Sequence, residues 1–119
     1  MQHIGIDIVE IARIEGAISR WGQGFLKRVY TEPELKLYRH RPASLAARFS
    51  CKEAVIKALN SRSIGLKEIE ILSDPNGKPR LKLHGRAQTQ ADVLGLASLA
   101  ITLSHSRDYA IACAIGETK

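Results

Sequence analysis

The chain is poor in cysteine and in aromatic side chains, and it contains no long apolar run. Its two cysteines, Cys51 and Cys113, lie in apolar contexts, so they read as buried free thiols rather than a disulfide framework. Aromatic residues are only 5% of the 119, and none cluster on an expected strand, which weighs against a platform for stacking single-stranded bases. No apolar stretch approaches the roughly 20 residues of a membrane-spanning helix. The opening segment MQHIGIDIVE carries acids and lacks the basic-then-apolar layout of a secretion signal, so a cytoplasmic protein is expected. Low-complexity segments, repeats and linkers are absent. One domain over 1–119 is expected, and 45% hydrophobic content suffices for a core.

Positive charge is abundant. A formal net charge of +6 and a pI near 9.6 favour an acidic partner: nucleic acid, a polyphosphate ligand or an acidic protein. Charge by itself does not choose among them.

Patterning predicts an α+β fold, a mostly antiparallel sheet packed with helices. HIGIDIV (3–9) alternates as a strand, with Ile4, Ile6 and Ile8 on one face and Gly5, Asp7 and Val9 on the other. A helix is expected from about Ile11 to Trp21, stopped by Gly22 and Gly24. Thr31 and Glu34 form a T-x-x-E capping box for a short helix through Tyr38. The segment 43–59 has no Gly or Pro and reads as a long helix. EIEILS (68–73) and RLKLH (80–84) flank DPNGKP, a tight-turn signal, and predict a hairpin. A helix over about 86–95 precedes two apolar strands, SLAITLS (98–104) and YAIACAI (109–115), joined through SHSRD.

The long helix holds the first chemical candidates. At 100° per residue its apolar side chains cover most of the circumference, while Ser50, Glu53 and Lys57 share one narrow stripe and Lys52 falls beside the apolar side. Such a helix is packed on several sides, so the stripe faces a crevice or seam. The ordinary reading of the stripe is an i, i+4 ion pair between Glu53 and Lys57. The alternative is a carboxylate that holds a metal beside a lysine that holds a phosphate. Asp7 supports the alternative, since Asp is disfavoured inside a strand. Its ordinary reading is a solvent-facing acid. Two carboxylates from different elements are a typical protein contribution to a Mg²⁺ site. His105, at a strand end, is a candidate phosphate donor. Cys51 is set aside as a nucleophile because it lies on the apolar helical face. Arg13 and Arg20 share one helical face, with Lys27 and Arg28 beyond the Gly break, and read either as a solvated face or as a docking strip for an acidic partner.

Together these residues carry a resemblance. GIDIVEI (5–11) with Arg13 and Ile14, and RFSCKEAVIKAL (48–59) with its K-E-A-x-x-K core, resemble the two motifs of the holo-acyl-carrier-protein synthases, small bacterial members of the phosphopantetheinyl transferase superfamily. Motif order and spacing, NGKP (76–79) and the late SHS also match, so the similarity covers essentially the whole chain. The resemblance implies the 4′-phosphopantetheinyl transferase fold. It implies an enzyme of fatty acid biosynthesis that moves the phosphopantetheine arm of coenzyme A onto a serine of apo acyl carrier protein, releasing adenosine 3′,5′-bisphosphate.

By position, the resemblance makes Asp7 and Glu53 ligands of Mg²⁺ and sets Lys57 on the pyrophosphate. Asp7, Glu53 and Lys57 would be the catalytic set, with Glu53 the candidate base. Arg48, Gly65, Pro79 and His105, with Lys57, are the expected contacts to coenzyme A. Arg13, and by charge and helical phase Arg20 and Arg28, would dock the acidic carrier protein. A homotrimer with sites between subunits is implied, with no nucleic acid and no membrane as partner. Two departures stand out. Val9 occupies the position where larger relatives carry a further acid, and the loop NSRSIG (60–65) has only Gly65 where a Gly-rich stretch is usual. The rival reading is a small basic nucleic-acid-binding module.

Overall fold

The computed structural model describes residues 1–119. The elements run β1 (Gln2–Glu10), α1 (Ile11–Trp21), α2 (Gln23–Val29), α3 (Glu32–Tyr38), α4 (Pro42–Leu59), a 3₁₀ turn (Leu66–Glu68), β2 (Ile69–Ser73), β3 (Pro79–Leu83), α5 (Gly85–Val93), β4 (Leu96–His105) and β5 (Tyr109–Thr118). Two antiparallel sheets form, one of order β1-β5-β4 and a separate β2-β3 hairpin. The architecture is the expected α+β. No helix is long and apolar enough to cross a membrane.

The central contact is α4 on the three-stranded sheet, and small residues make it close. Gly5, Val9, Ala110, Ala112 and Ala114 share the inner face. A Cβ at Gly5 would stand 1.8 Å from the Ala54 carbonyl oxygen, so only glycine permits this approach. Asp7 is on the same face. A solvent-facing acid is therefore the wrong reading of its position: the acid looks toward α4, and the isoleucines look outward. Ile4, Ile6 and Ile8 are 59%, 57% and 60% exposed in the single chain, and Ile111 and Ile115 extend the same apolar face on β5.

One element was not legible from pattern. The expected stop after Trp21 is present at Gly22, and a further helix, α2, forms across Gly24 because Leu26 and Val29 enter the core cluster with Ile14, Tyr30 and Leu45, where packing overrides propensity. The Thr31 capping box is present: the Thr31 N–H donates to Glu34 Oε1 (2.9 Å) and the Glu34 N–H to Thr31 Oγ1 (3.4 Å). α4 has Pro42 in its first turn and ends at Asn60, whose left-handed backbone (φ 53°) turns the chain into the 60–66 loop. Cys51 is buried and Cys113 half-buried, both free, and burial pushes the Cys51 thiol up to about 12, which makes it inert.

Candidate active site

β1 and α4 bring Asp7, Glu53 and Lys57 together. The Ser50 hydroxyl donates to the Asp7 carbonyl oxygen (2.8 Å) and ties the strand to the helix at this level. Lys57 Nζ donates to Asp7 Oδ1 at 3.2 Å and to the Ile6 carbonyl at 2.9 Å. The Glu53–Lys57 ion pair expected from helical spacing does not form, because the lysine reaches across to the strand instead. Asp7 is sheltered, with 17% of its side chain exposed, whereas Lys57 is 54% exposed. Burial, and then the charge of Asp7, push the Glu53 carboxyl above its ordinary range, and the opposing charges of Lys57 and Arg13 do not cancel this. Arg13 of α1 thus belongs to the same electrostatic neighbourhood.

A cavity of about 540 Å³ opens beside the pair, lined by Glu53, Ile56, Lys57, Asn60, Ser61, Arg62, Ile64 and Leu66. The loop that supplies Asn60, Ser61 and Arg62 was the part of the site with the least sequence signal, marked only by the end of the helix at Leu59. Gly65 lies between the lining residues Ile64 and Leu66, and its N–H donates to Glu68 Oε2 (2.6 Å).

The other expected contacts collect elsewhere. Arg48, Pro79 and His105 line a second cleft of about 270 Å³ with Ser44, Ser73 and Gly77. Arg48 is nearly buried. It donates to the Ile71 carbonyl and to Ser73 Oγ, both at 2.9 Å, and its guanidinium sits 3.5 Å from the centre of the Tyr38 ring. Arg48 and Glu53 are five residues apart on α4, about 140° around the helix. The helix itself therefore separates the two clusters within one chain. Arg20 stacks on Trp21 (5.2 Å), and Arg28 borders a small cleft with Trp21, Gly24 and Phe25.

Two half-sheltered carboxylates are a donor set suited to a hard divalent cation that keeps waters and takes phosphate oxygens. There is no cluster of three or more His, Cys, Asp and Glu side chains, so the protein would supply only part of a coordination shell. The raised Glu53 carboxyl marks a place where added positive charge is favourable.

Residues 3–114 match the 4′-phosphopantetheinyl transferase superfamily. The chain is 48% identical over 118 residues to the holo-[acyl-carrier-protein] synthase of Dehalococcoides mccartyi, covering 98% of this chain and 99% of that one. It is 46% identical over 121 residues to that of Herpetosiphon aurantiacus, with 94% and 95% covered. Among solved structures, Helicobacter pylori holo-[acyl-carrier-protein] synthase in complex with coenzyme A superposes with a TM-score of 0.85 at 33% identity, over 96% of this chain and 99% of that chain. The nucleic-acid reading is not carried further: the outward sheet face is mainly isoleucine, with Tyr109 as its one exposed aromatic side chain, which is too few for a base-stacking platform. With the two motifs meeting at one carboxylate–lysine site, the chain belongs to the holo-[acyl-carrier-protein] synthase family of the 4′-phosphopantetheinyl transferase superfamily.

Proposed function

We propose that the protein transfers the 4′-phosphopantetheine group of coenzyme A to a serine of apo acyl carrier protein, in fatty acid biosynthesis in the cytoplasm, with adenosine 3′,5′-bisphosphate as the other product. The observation that carries this reading is the meeting of Asp7, Glu53 and Lys57, of which Glu53 and Lys57 line the 540 Å³ cavity. Asp7 and Glu53 would hold Mg²⁺, which when bound supplies Lewis-acid polarisation of the pyrophosphate. Lys57, about half exposed beside Asp7, would take a pyrophosphate oxygen and offset the charge that grows there during transfer. Glu53 is also the candidate acceptor for the serine proton. The apolar residues Ile56, Ile64 and Leu66 give the cavity a wall that excludes water from one side.

The site is completed by a second copy of the chain. Arg48, Pro79 and His105 stand across α4 from Glu53, so a ligand that touches both sets meets them from two subunits. The outward isoleucine face supports self-association. Covering the exposed part of each such side chain contributes about 1–2 kcal/mol, and a homotrimer closes this face on itself. Gly65 would give close backbone approach to coenzyme A. Arg13, Arg20 and Arg28, with Trp21 and Phe25 beside them, would dock the acidic carrier protein on α1 and α2. Incubation with apo carrier protein, coenzyme A and Mg²⁺ tests the reading: holo carrier protein and adenosine 3′,5′-bisphosphate form in equal amounts if it is right, and neither forms if it is wrong.

A further inference from the structure

Lys52, next to Glu53 in the sequence, takes no part in the site described above, yet its side chain is completely buried. Its ammonium uses all three N–H groups. One goes to Glu34 Oε1 (2.7 Å), one to the Leu66 carbonyl (3.1 Å) and one to the Ile69 carbonyl. Glu34 is equally buried and is itself fixed: Oε1 also accepts the Thr31 N–H, and Oε2 accepts the Ile71 N–H (2.8 Å). Two of the three acceptors on Lys52 are main-chain carbonyls where the 60–66 loop runs into β2, at Leu66 and Ile69. Leu66 is also a wall of the cavity beside Glu53 and Lys57. From the other side the same turn is held by Glu68, whose Oε1 accepts the Arg86 N–H (2.6 Å).

We propose that Lys52 is a positioning residue for the coenzyme A pocket. It pins the Leu66–Ile69 backbone to α4 one position before Glu53, and so sets how far the 60–66 loop stands from Lys57. This rests on the function proposed above. A charge fixed on two carbonyls and one carboxylate holds a loop at one distance, whereas apolar packing alone permits sliding. A misplacement of about 1 Å in a binding wall costs up to about 100-fold in efficiency.

The test uses the full-length protein and two variants. Lys52→Met leaves the buried Glu34 without its cation. The double variant Lys52→Met with Glu34→Gln removes both charges at similar volume, and the glutamine oxygen keeps one of the two backbone N–H bonds that Glu34 accepts, from Thr31 or from Ile71. At a temperature where each sample is folded, the account predicts that the Michaelis constant for coenzyme A rises about tenfold or more in the double variant while that for carrier protein holds. Amide exchange of the free protein provides a readout independent of activity, with protection lost at Gly65, Glu68 and Ile69, whose N–H groups are bonded within the turn, and kept in β1 and β5. An unchanged constant for coenzyme A together with unchanged protection at Gly65, Glu68 and Ile69 in the folded double variant would overturn the inference. A wild-type protein that fails to use coenzyme A sinks the functional reading instead, and the exchange result then still decides whether Lys52 pins the loop.

Discussion

Lys57 pairs with Asp7 across two elements, Nζ to Oδ1 at 3.2 Å, and not with Glu53 one turn earlier on its own helix. Glu53 is left with a raised proton affinity. An acid whose folded pKa lies above its unfolded value costs stability once it ionises. The cost is absent below the unfolded carboxylate range, appears as pH climbs through it, and is complete above the folded pKa. Glu53→Gln is therefore expected to melt at the same or a higher temperature than the parent at neutral pH, with the difference closing near about pH 3. Mg²⁺ should raise the melting temperature of the parent and not of the variant. Transfer activity should fall at least about 100-fold. Melting curves across pH with and without Mg²⁺ check this, and a less stable variant at neutral pH would contradict it.

The placement of the two clusters on opposite sides of α4 predicts complementation. Glu53→Ala and His105→Ala, each impaired alone, are unfolded together, refolded and assayed. If a site takes Glu53 from one subunit and His105 from the next, random assembly restores about a quarter of the parent sites. No recovery would place both residues in one subunit's site.

The outward isoleucines make a separate prediction about assembly. Ile6→Asp puts a charge in the middle of the apolar sheet face, where it is exposed in the single chain and costs the monomer little. Sedimentation should show the parent as a trimer and the variant as a monomer that keeps its circular dichroism and loses activity.

Reversing the charge of Arg13, Arg20 or Arg28 should raise the Michaelis constant for carrier protein by about tenfold and flatten its salt dependence. The constant for coenzyme A should hold for Arg20 and Arg28. Arg13 also lies in the field of Glu53, so Arg13→Glu should disturb both constants.

Much of this was legible in the residues. Strict alternation gave β1, the capping box gave α3, and the Asn-Gly turn gave the β2–β3 hairpin, because each is a local rule that the fold obeys. Other features were not local. Which face of β1 is inside depends on α4 packing against Gly5 and the β5 alanines. The isoleucines, apolar as they are, point away from the chain's own core. α2 forms around a glycine because Leu26 and Val29 have a core to enter. Within the site, the K-E-A-x-x-K spacing placed Glu53 and Lys57 on one stripe, but the lysine's true partner is on a strand 50 residues away in sequence. The burial of Lys52 against Glu34 joins elements that no helical wheel relates.

The most direct measurement is the intact mass of apo acyl carrier protein after incubation with coenzyme A, Mg²⁺ and this protein, alongside samples with chelator and with Glu53→Ala. The account predicts a mass gain of one phosphopantetheine group that disappears in both controls. A folded protein that produces no gain on several carrier proteins would contradict the transferase reading, and a gain that survives both controls would contradict the carboxylate–metal site.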